Sequence, residues 1–520
     1  MRAQVFIAVL LALVIPSVSP PPAISSSAEA SQVPESTSPP GKTTYLQHCA
    51  ACHGINGEGN GPASVWLFPR PRNFSAGMFK IKSTPGVSLP TDQDLLTTVT
   101  RGMPGSSMPS FTYLTQQERQ DVVQYVKLLT AYTDASGKRV NRFAQAKANG
   151  ELADPIQIPP EPPITVQHLA QGARMFSKLT CILCHGESGA GDGPNAPSLK
   201  DTQGLYLPPR DFNIGAFRGG HTGKDLYTRI AIGLAGTPMI GFDDRVMTPA
   251  DRWALVHFIQ SLRRKEVEIS DLLAPSDGTI HVARSRGKLP VDPADPVWEG
   301  MDPVRVSLNP LWPEKDVVYA VAVRAVHDRR RVAILCTWKD PVPDGAPVRV
   351  QDFQDAVALQ FSLNGNTPFL GMGDANNPVN IWQWKAGWQQ EAEGHRFDMS
   401  DQYPSMHVDT YFASSYRTAA DAGNEVSVPH KSAVEDANAH GFGTLQSQPP
   451  SGQNVSGKGV WRDGSWSVVF VRELKSRDRD DVKFAPGGAT PVAFAVWDGQ
   501  NRDRNGRKVV SNWHKLILEP

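Results

Sequence analysis

Two hydrophobic periodicities divide this chain. In its first half, apolar residues recur at helical spacing: Thr115-Gln116-Gln117-Glu118, a capping box, leads into a stripe of Val122, Val123, Val126 and Leu129. Thr248 followed by Pro249 opens a second such helix, striped by Trp253, Val256, Ile259 and Leu262. Tyr45 with Leu46, and Met175 with Phe176, belong to two shorter helical runs. From Arg263 onward the period falls to two, predicting strands over Val317–Val326, Val332–Trp338, Ala356–Leu363, Trp466–Val471, Val492–Trp497 and Trp513–Leu518. Asp463-Gly464 and Asp498-Gly499 mark turns between them. The expected architecture is multidomain: two small all-α domains followed by a mainly-β, sandwich-like domain.

The helical half is an internal repeat. Cys49 and Met108 are 59 positions apart, and Cys181 and Met239 are 58 apart. Between them Pro71-Arg72-Asn73-Phe74 returns as Pro209-Arg210-Asp211-Phe212, and Gly102-Met103-Pro104-Gly105 as Gly233-Leu234-Ala235-Gly236. The repeats are assigned to 42–130 and 165–262, with a Pro-rich linker over 131–164 and the β domain over 263–520. Residues 1–30 read as a secretory signal: Arg2 supplies a positive start and Val5–Ile15 an apolar run too short to span a bilayer. Residues 31–41 are expected to be a disordered Pro/Ser leader, and the expected location is the periplasm, an uncleaved signal serving as anchor being the alternative.

Charge changes the picture by exclusion. Fifty-two Lys and Arg balance 52 Asp and Glu, which argues against a nucleic-acid binder and leaves docking to local patches. With 520 residues, several cores are required.

Four of the five cysteines supply the chemistry. Cys49-Ala50-Ala51-Cys52-His53 and Cys181-Ile182-Leu183-Cys184-His185 are both Cys-x-x-Cys-His, the attachment signature of c-type haem: two thiols add to the porphyrin vinyl groups and the adjacent imidazole meets the iron. A redox dithiol would need a βαβ setting that neither copy has, and a zinc site would need more Cys or His at finger spacing. Cys336 falls inside a predicted strand and reads as a buried hydrophobe.

The repeats resemble class I cytochrome c domains, which occur in tandem in cytochrome oxidase subunits. The resemblance implies His53 and His185 as proximal ligands, and Met108 and Met239 as distal ones. Met103 is the competitor in the first repeat, but the second has Leu234 at the matching place. Iron held by both imidazole and thioether suits electron transfer better than catalysis. A dihaem peroxidase, the enzyme alternative, would need an open iron.

The third region carries Phe353-Gln354-Asp355-Ala356-Val357-Ala358-Leu359-Gln360-Phe361, Gly371-Met372-Gly373, Pro378-Val379-Asn380-Ile381-Trp382-Gln383-Trp384-Lys385-Ala386, Gly464-Ser465-Trp466-Ser467-Val468-Val469-Phe470 and Ala493-Phe494-Ala495-Val496-Trp497-Asp498-Gly499. It resembles the haem-binding γ subunit of periplasmic molybdenum oxidoreductases, the group of ethylbenzene and dimethylsulfide dehydrogenases, chlorate and selenate reductases and nitrite oxidoreductase relatives. That resemblance implies one non-covalent b haem between a Met and a Lys. Met372 and Lys458 are the expected pair, with Lys385 and Lys475 as competing lysines and His395, His407, His430 and His440 as histidine alternatives. It also implies a non-catalytic subunit, relaying electrons between the iron–sulfur and molybdenum subunits of a DMSO reductase-family enzyme and soluble or membrane cytochromes. The alternative is a dihaem cytochrome whose sandwich binds carbohydrate on Trp382, Trp384 and Trp388 and holds no haem.

Overall fold

The computed structural model describes residues 38–215, 217–264, 278–312, 317–395, 397, 399–406 and 430–520; the expected signal and most of the leader, and His407, lie outside them. In the first repeat, α1 (Lys42–His48) runs into α2 (Ala50–His53), and α3 (Asp92–Arg101) and α4 (Gln116–Leu128) follow. The predicted capping box is present, Thr115 and Glu118 satisfying each other's backbone N–H at the start of α4. Its stripe of Val122, Val123 and Val126 packs on Tyr45 of α1, whose ring lies 5.2 Å from that of Tyr125.

Residues 131–148 correct the linker assignment. They form a hairpin of β1 (Ala131–Thr133) and β2 (Arg139–Asn141), then α5 (Arg142–Ala148), whose Phe143 enters the first repeat's core. This stretch contains no proline, so its backbone is free to make ladder and helix bonds. The prolines come later, and that segment also has a seat: Ile156 and Ile158 pack on the second repeat, and Trp253 Nε1 donates to Pro159 O at 3.2 Å.

The second repeat is built from α6 (Val166–Lys178), α7 (Ile182–His185), α8 (Gly223–Ile232) and α9 (Pro249–Ser261). Gly172 of α6 sits so close to α9 that a Cβ there would meet Phe258 Cβ at 2.6 Å. Its missing side chain therefore sets how closely the two helices cross. Helices α3 and α8 were not among the expected elements, although Thr91/Asp94 and Thr222/Asp225 cap them reciprocally.

The third region forms β3 (Thr279–Arg284), β4 (Val304–Ser307), β5 (Asn309–Pro310), β6 (Ala320–His327), β7 (Arg331–Lys339), β8 (Ala356–Ser362), β9 (Val379–Lys385), α10 (Ala386–Ala392), β10 (Val434–Ala439), β11 (Gln446–Ser447), β12 (Ser456–Arg462), β13 (Ser465–Glu473), β14 (Ala489–Trp497), β15 (Val509–Val510) and β16 (His514–Leu518). The sheet path is β11-β10-β9-β8-β14-β16-β3-β6-β7-β13-β12, antiparallel except where β3 joins β16 and β6. The path curls into a sandwich, so that Gly457 and Gly459 of β12 come against Val434 and Trp384. Alternate residues fill the interior: Ile334, Cys336, Trp338, Leu359, Phe361, Trp382, Trp384, Val468, Phe470, Phe494 and Val496. The outward residues are apolar as well. Ala356, Ala358, Ile381, Ala493 and Trp497 form one covered outer face, and Ala333, Leu335, Val469 and Val471 the opposite one.

Candidate functional site

Each Cys-x-x-Cys-His segment occupies a short helix ending in a glycine, Gly54 or Gly186, at positive φ. The repeated Pro-Arg-x-Phe motif then builds the histidine's surroundings. His53 Nδ1 donates to Arg72 O at 3.0 Å, and His185 Nδ1 to Arg210 O at 3.2 Å. Phe74 stacks on His53 at 4.6 Å, and Phe212 on His185 at 4.3 Å. Using Nδ1 in this way leaves Nε2 with its lone pair for a metal. Burial lowers both imidazole pKa values, which favours the neutral, ligating form. The thiols of Cys49 and Cys52 are pushed up to about 12, chiefly by burial.

The methionine loops match each other bond for bond. Met103 N donates to Met108 O at 3.0 Å and Leu234 N to Met239 O at 2.9 Å. A hydroxyl, Ser106 or Thr237, closes each turn onto the carbonyl of Met103 or Leu234. A single cavity of about 640 Å³ is lined by Cys49, Cys52, His53 and Met108 from one repeat and by Cys181, Cys184, His185 and Met239 from the other. Met103 and Leu234 line it too, so Met103 stays within reach of the same space.

The repeats exchange arginines across this cavity. Arg210, whose carbonyl receives His185, sends its guanidinium to the first repeat's methionine loop, 2.6 Å from where a Gly105 Cβ would stand. Arg72, whose carbonyl receives His53, reaches the second repeat's loop at Gly236, 3.4 Å from the equivalent point. Lys80 and Arg218 line the same space; burial, then Arg72, lowers Lys80 to about 8, and burial, then Arg210, lowers Arg218 to about 9. Among the described residues, Arg218 Nε has no hydrogen-bond partner. Buried cations facing an apolar cavity call for anionic partners, and the propionates of haem are anions of that kind. The residues present therefore fit two c haems.

The sandwich does not bring Met372 and Lys458 together. Lys458 pairs in register with Val469, which puts it on the Val469 outer face, where its Nζ forms an ion pair with Asp292 at 2.7 Å. Its glycine neighbours serve the other side of the strand, leaving room for Val434 and Trp384. Met372 packs on the opposite outer face, with Trp497 and Trp513. Its backbone has φ 68°, a left-handed conformation uncommon for a non-glycine residue, and its carbonyl accepts from Gly441 N at 2.9 Å. Lys508 reaches this face, with Nζ 4.7 Å from the Trp497 ring centroid. Burial lowers its ammonium to about 8. The competitors are engaged elsewhere, Lys385 with Glu435 at 2.5 Å and His430 with Glu391 at 2.7 Å, while His395 and His440 are exposed.

The cytochrome c family matches residues 38–130 and 169–263, and the ethylbenzene dehydrogenase family matches 295–509. The chain joins two cytochrome c domains to an ethylbenzene dehydrogenase-family domain. The γ subunit of dimethylsulfide dehydrogenase from Rhodovulum sulfidophilum is 28% identical over 45% of this chain and 77% of its own length. The chlorate reductase γ subunit of Ideonella dechloratans is 24% identical over 46% and 83%. A proposed respiratory nitrate reductase haem subunit of Haloferax mediterranei is 26% identical over 44% and 69%.

Within the ethylbenzene dehydrogenase-family domain, the carbohydrate platform is overturned: Trp382 and Trp384 are wholly inside the sandwich, and Trp388 is stacked on His430 at 3.7 Å. This domain meets the first cytochrome c domain beside Met372. Asn512 Nδ2 donates to Ser110 O at 2.7 Å, two residues past Met108. Phe369 and Leu370, just before Met372, line the cytochrome cavity itself. Sequence reasoning missed Lys508, Arg72 and Arg210 as site residues. The arginines had a signal, since each occupies the same place in a repeated motif; Lys508, in Asn505-Gly506-Arg507-Lys508, reads as a solvated turn.

Proposed function

We propose that this chain is a three-haem electron-transfer subunit with two covalent c haems and one non-covalent b haem. His53 with Met108, and His185 with Met239, would hold the c-type irons, the four cysteines tethering the porphyrins; Met372 and Lys508 would hold the third. Bound haem supplies a one-electron ferric/ferrous couple. The protein's part is positional and electrostatic. Arg72 and Arg210 fix the proximal imidazoles through their carbonyls and deliver positive charge to the opposite domain's methionine loop. Trp497 and its apolar neighbours partly desolvate Lys508, favouring the neutral amine.

One observation carries this reading: a continuous cavity runs from one Cys-x-x-Cys-His segment to the other and on to Phe369 and Leu370 beside Met372. Three one-electron centres in such contiguity serve transfer along a line. The terminal partners would be the iron–sulfur subunit of a molybdenum enzyme and a soluble or membrane cytochrome in the periplasm. No helix among the described residues is long and apolar enough to cross a membrane.

The test is a pyridine haemochrome spectrum of the chain matured with its haem-attachment machinery. Two c haems per extractable b haem is expected, the b haem alone leaving into acidified organic solvent. A spectrum of c haem only, with nothing extractable, would overturn the third site and leave a dihaem cytochrome.

A further inference from the structure

One end of the sandwich holds an acidic group that the haem sites do not use. Asp340 follows β7, Asp355 precedes β8 and Asp498 follows β14, and one carboxylate oxygen from each lies within 4.8 Å of the others. Their exposures are 1%, 0% and 8%, so three carboxylates are buried side by side. Asp355 is held by N–H donors from Gly499, Asp344 and the Trp466 indole at 2.9, 2.6 and 2.9 Å. Asp340 Oδ1 accepts from Val342 N at 3.2 Å, whereas Asp340 Oδ2 is buried with no hydrogen-bond partner among the described residues. Asp344, on the loop between Asp340 and Asp355, also has Oδ2 without a hydrogen-bond partner among the described residues. Among the described residues, neither Asp340 nor Asp355 has an ion pair to offset its charge. Gly499 lets this loop close in, since a Cβ there would fall 3.0 Å from the Asp344 carboxyl carbon.

We propose that Asp340, Asp355 and Asp498, with Asp344 beside them, form a calcium site. The donor set is all oxygen and anionic, which selects a hard divalent cation over zinc, copper or iron. Calcium takes six to eight oxygens, accepts bidentate carboxylates and tolerates irregular geometry. Magnesium demands a near-ideal octahedron and keeps several waters, which suits a dry cluster poorly. A cation there would satisfy the orphaned oxygen of Asp340 and tie β7, in one layer of the sandwich, to β8 and β14 in the other. The site stands apart from the haem reading and depends on none of its ligands.

The experiment uses the full haem-loaded chain purified without chelator. Elemental analysis against haem iron should give one calcium per chain. EDTA should lower the melting temperature, and added calcium, but not magnesium, should restore it. Asp340→Asn, which keeps the shape and removes the charge, should abolish the calcium. Should Asp340→Asn fail to fold, the wild-type stoichiometry and the EDTA–calcium melting series decide alone. A chain that carries no calcium, and melts at one temperature in EDTA and in excess calcium, would overturn the proposal and leave a cluster held by protons.

Discussion

A lysine that binds iron must offer a lone pair, so the protein has to make its ammonium unfavourable. Lys508 meets that demand: burial lowers it to about 8 from 10.5, and it lies over Trp497 on the face that carries Met372. Lys458 faces water and Asp292 on the other side of the sandwich. Lys508→Ala should therefore abolish the extractable haem while leaving both covalent ones, and Lys458→Ala should leave all three; haemochrome ratios of the two variants check this. Protonation competes with iron for the same nitrogen. Haemin uptake by b-haem-free protein should accordingly strengthen about tenfold per pH unit up to about 8 and level off above it. The stability effect has the same origin. Between about 8 and 10.5 the unfolded chain holds the Lys508 proton that the folded chain has lost, so the stability of b-haem-free protein should rise with pH across that window. Denaturant midpoints measured through it test the sign.

At the scale of elements, the helices before the methionine loops set where those loops begin. Helix α3 starts at a reciprocal box, Thr91 Oγ1 accepting from Asp94 N at 3.1 Å while Asp94 Oδ2 accepts from Thr91 N at 2.9 Å. It ends at Gly102, one residue before Met103. Asp94 Oδ2 also accepts from Ser83 N at 3.0 Å, so the cap pins an incoming loop as well. Thr91→Ala should cost about 1 kcal/mol of first-domain stability in denaturant unfolding. The same signature, Thr-x-x-Asp, opens α8 before the second methionine loop. Both boxes stand in plain view in the sequence. Their apolar stripes are short, however, and interrupted by threonines and charged residues, so periodicity alone passes over them.

For the whole molecule, the exchanged arginines make the two cytochrome c domains one electrostatic unit. Arg210 belongs to the second domain by its carbonyl and to the first by its guanidinium. Arg210→Gln should make both c haems harder to reduce, by about 1 kcal/mol, because a nearby cation favours the ferrous state from either side. Potentiometric titration followed optically would show it; a shift in one wave alone would confine the arginine to its own domain. Arg229 fastens the same interface, donating to Lys80 O at 3.2 Å and to Lys82 O. The sequence by itself determined what depends on near neighbours along the chain: Cys49, Cys52 and His53 with their counterparts, the spacing to Met108 and Met239, the alternation that makes the sandwich, and the burial of Cys336. A Cys-x-x-Cys-His segment and a strand's pleat are local chemistry and local geometry, so they are written in adjacent residues. Only the tertiary structure decided what depends on which surface a strand turns outward. It sent Lys458 and Met372 to opposite faces, put Lys508 over Trp497 on the face that carries Met372, folded 131–148 onto the first domain, and buried Trp382 and Trp384. A one-residue step along a strand reverses the face, and no local pattern records which outer face a distant loop will cover.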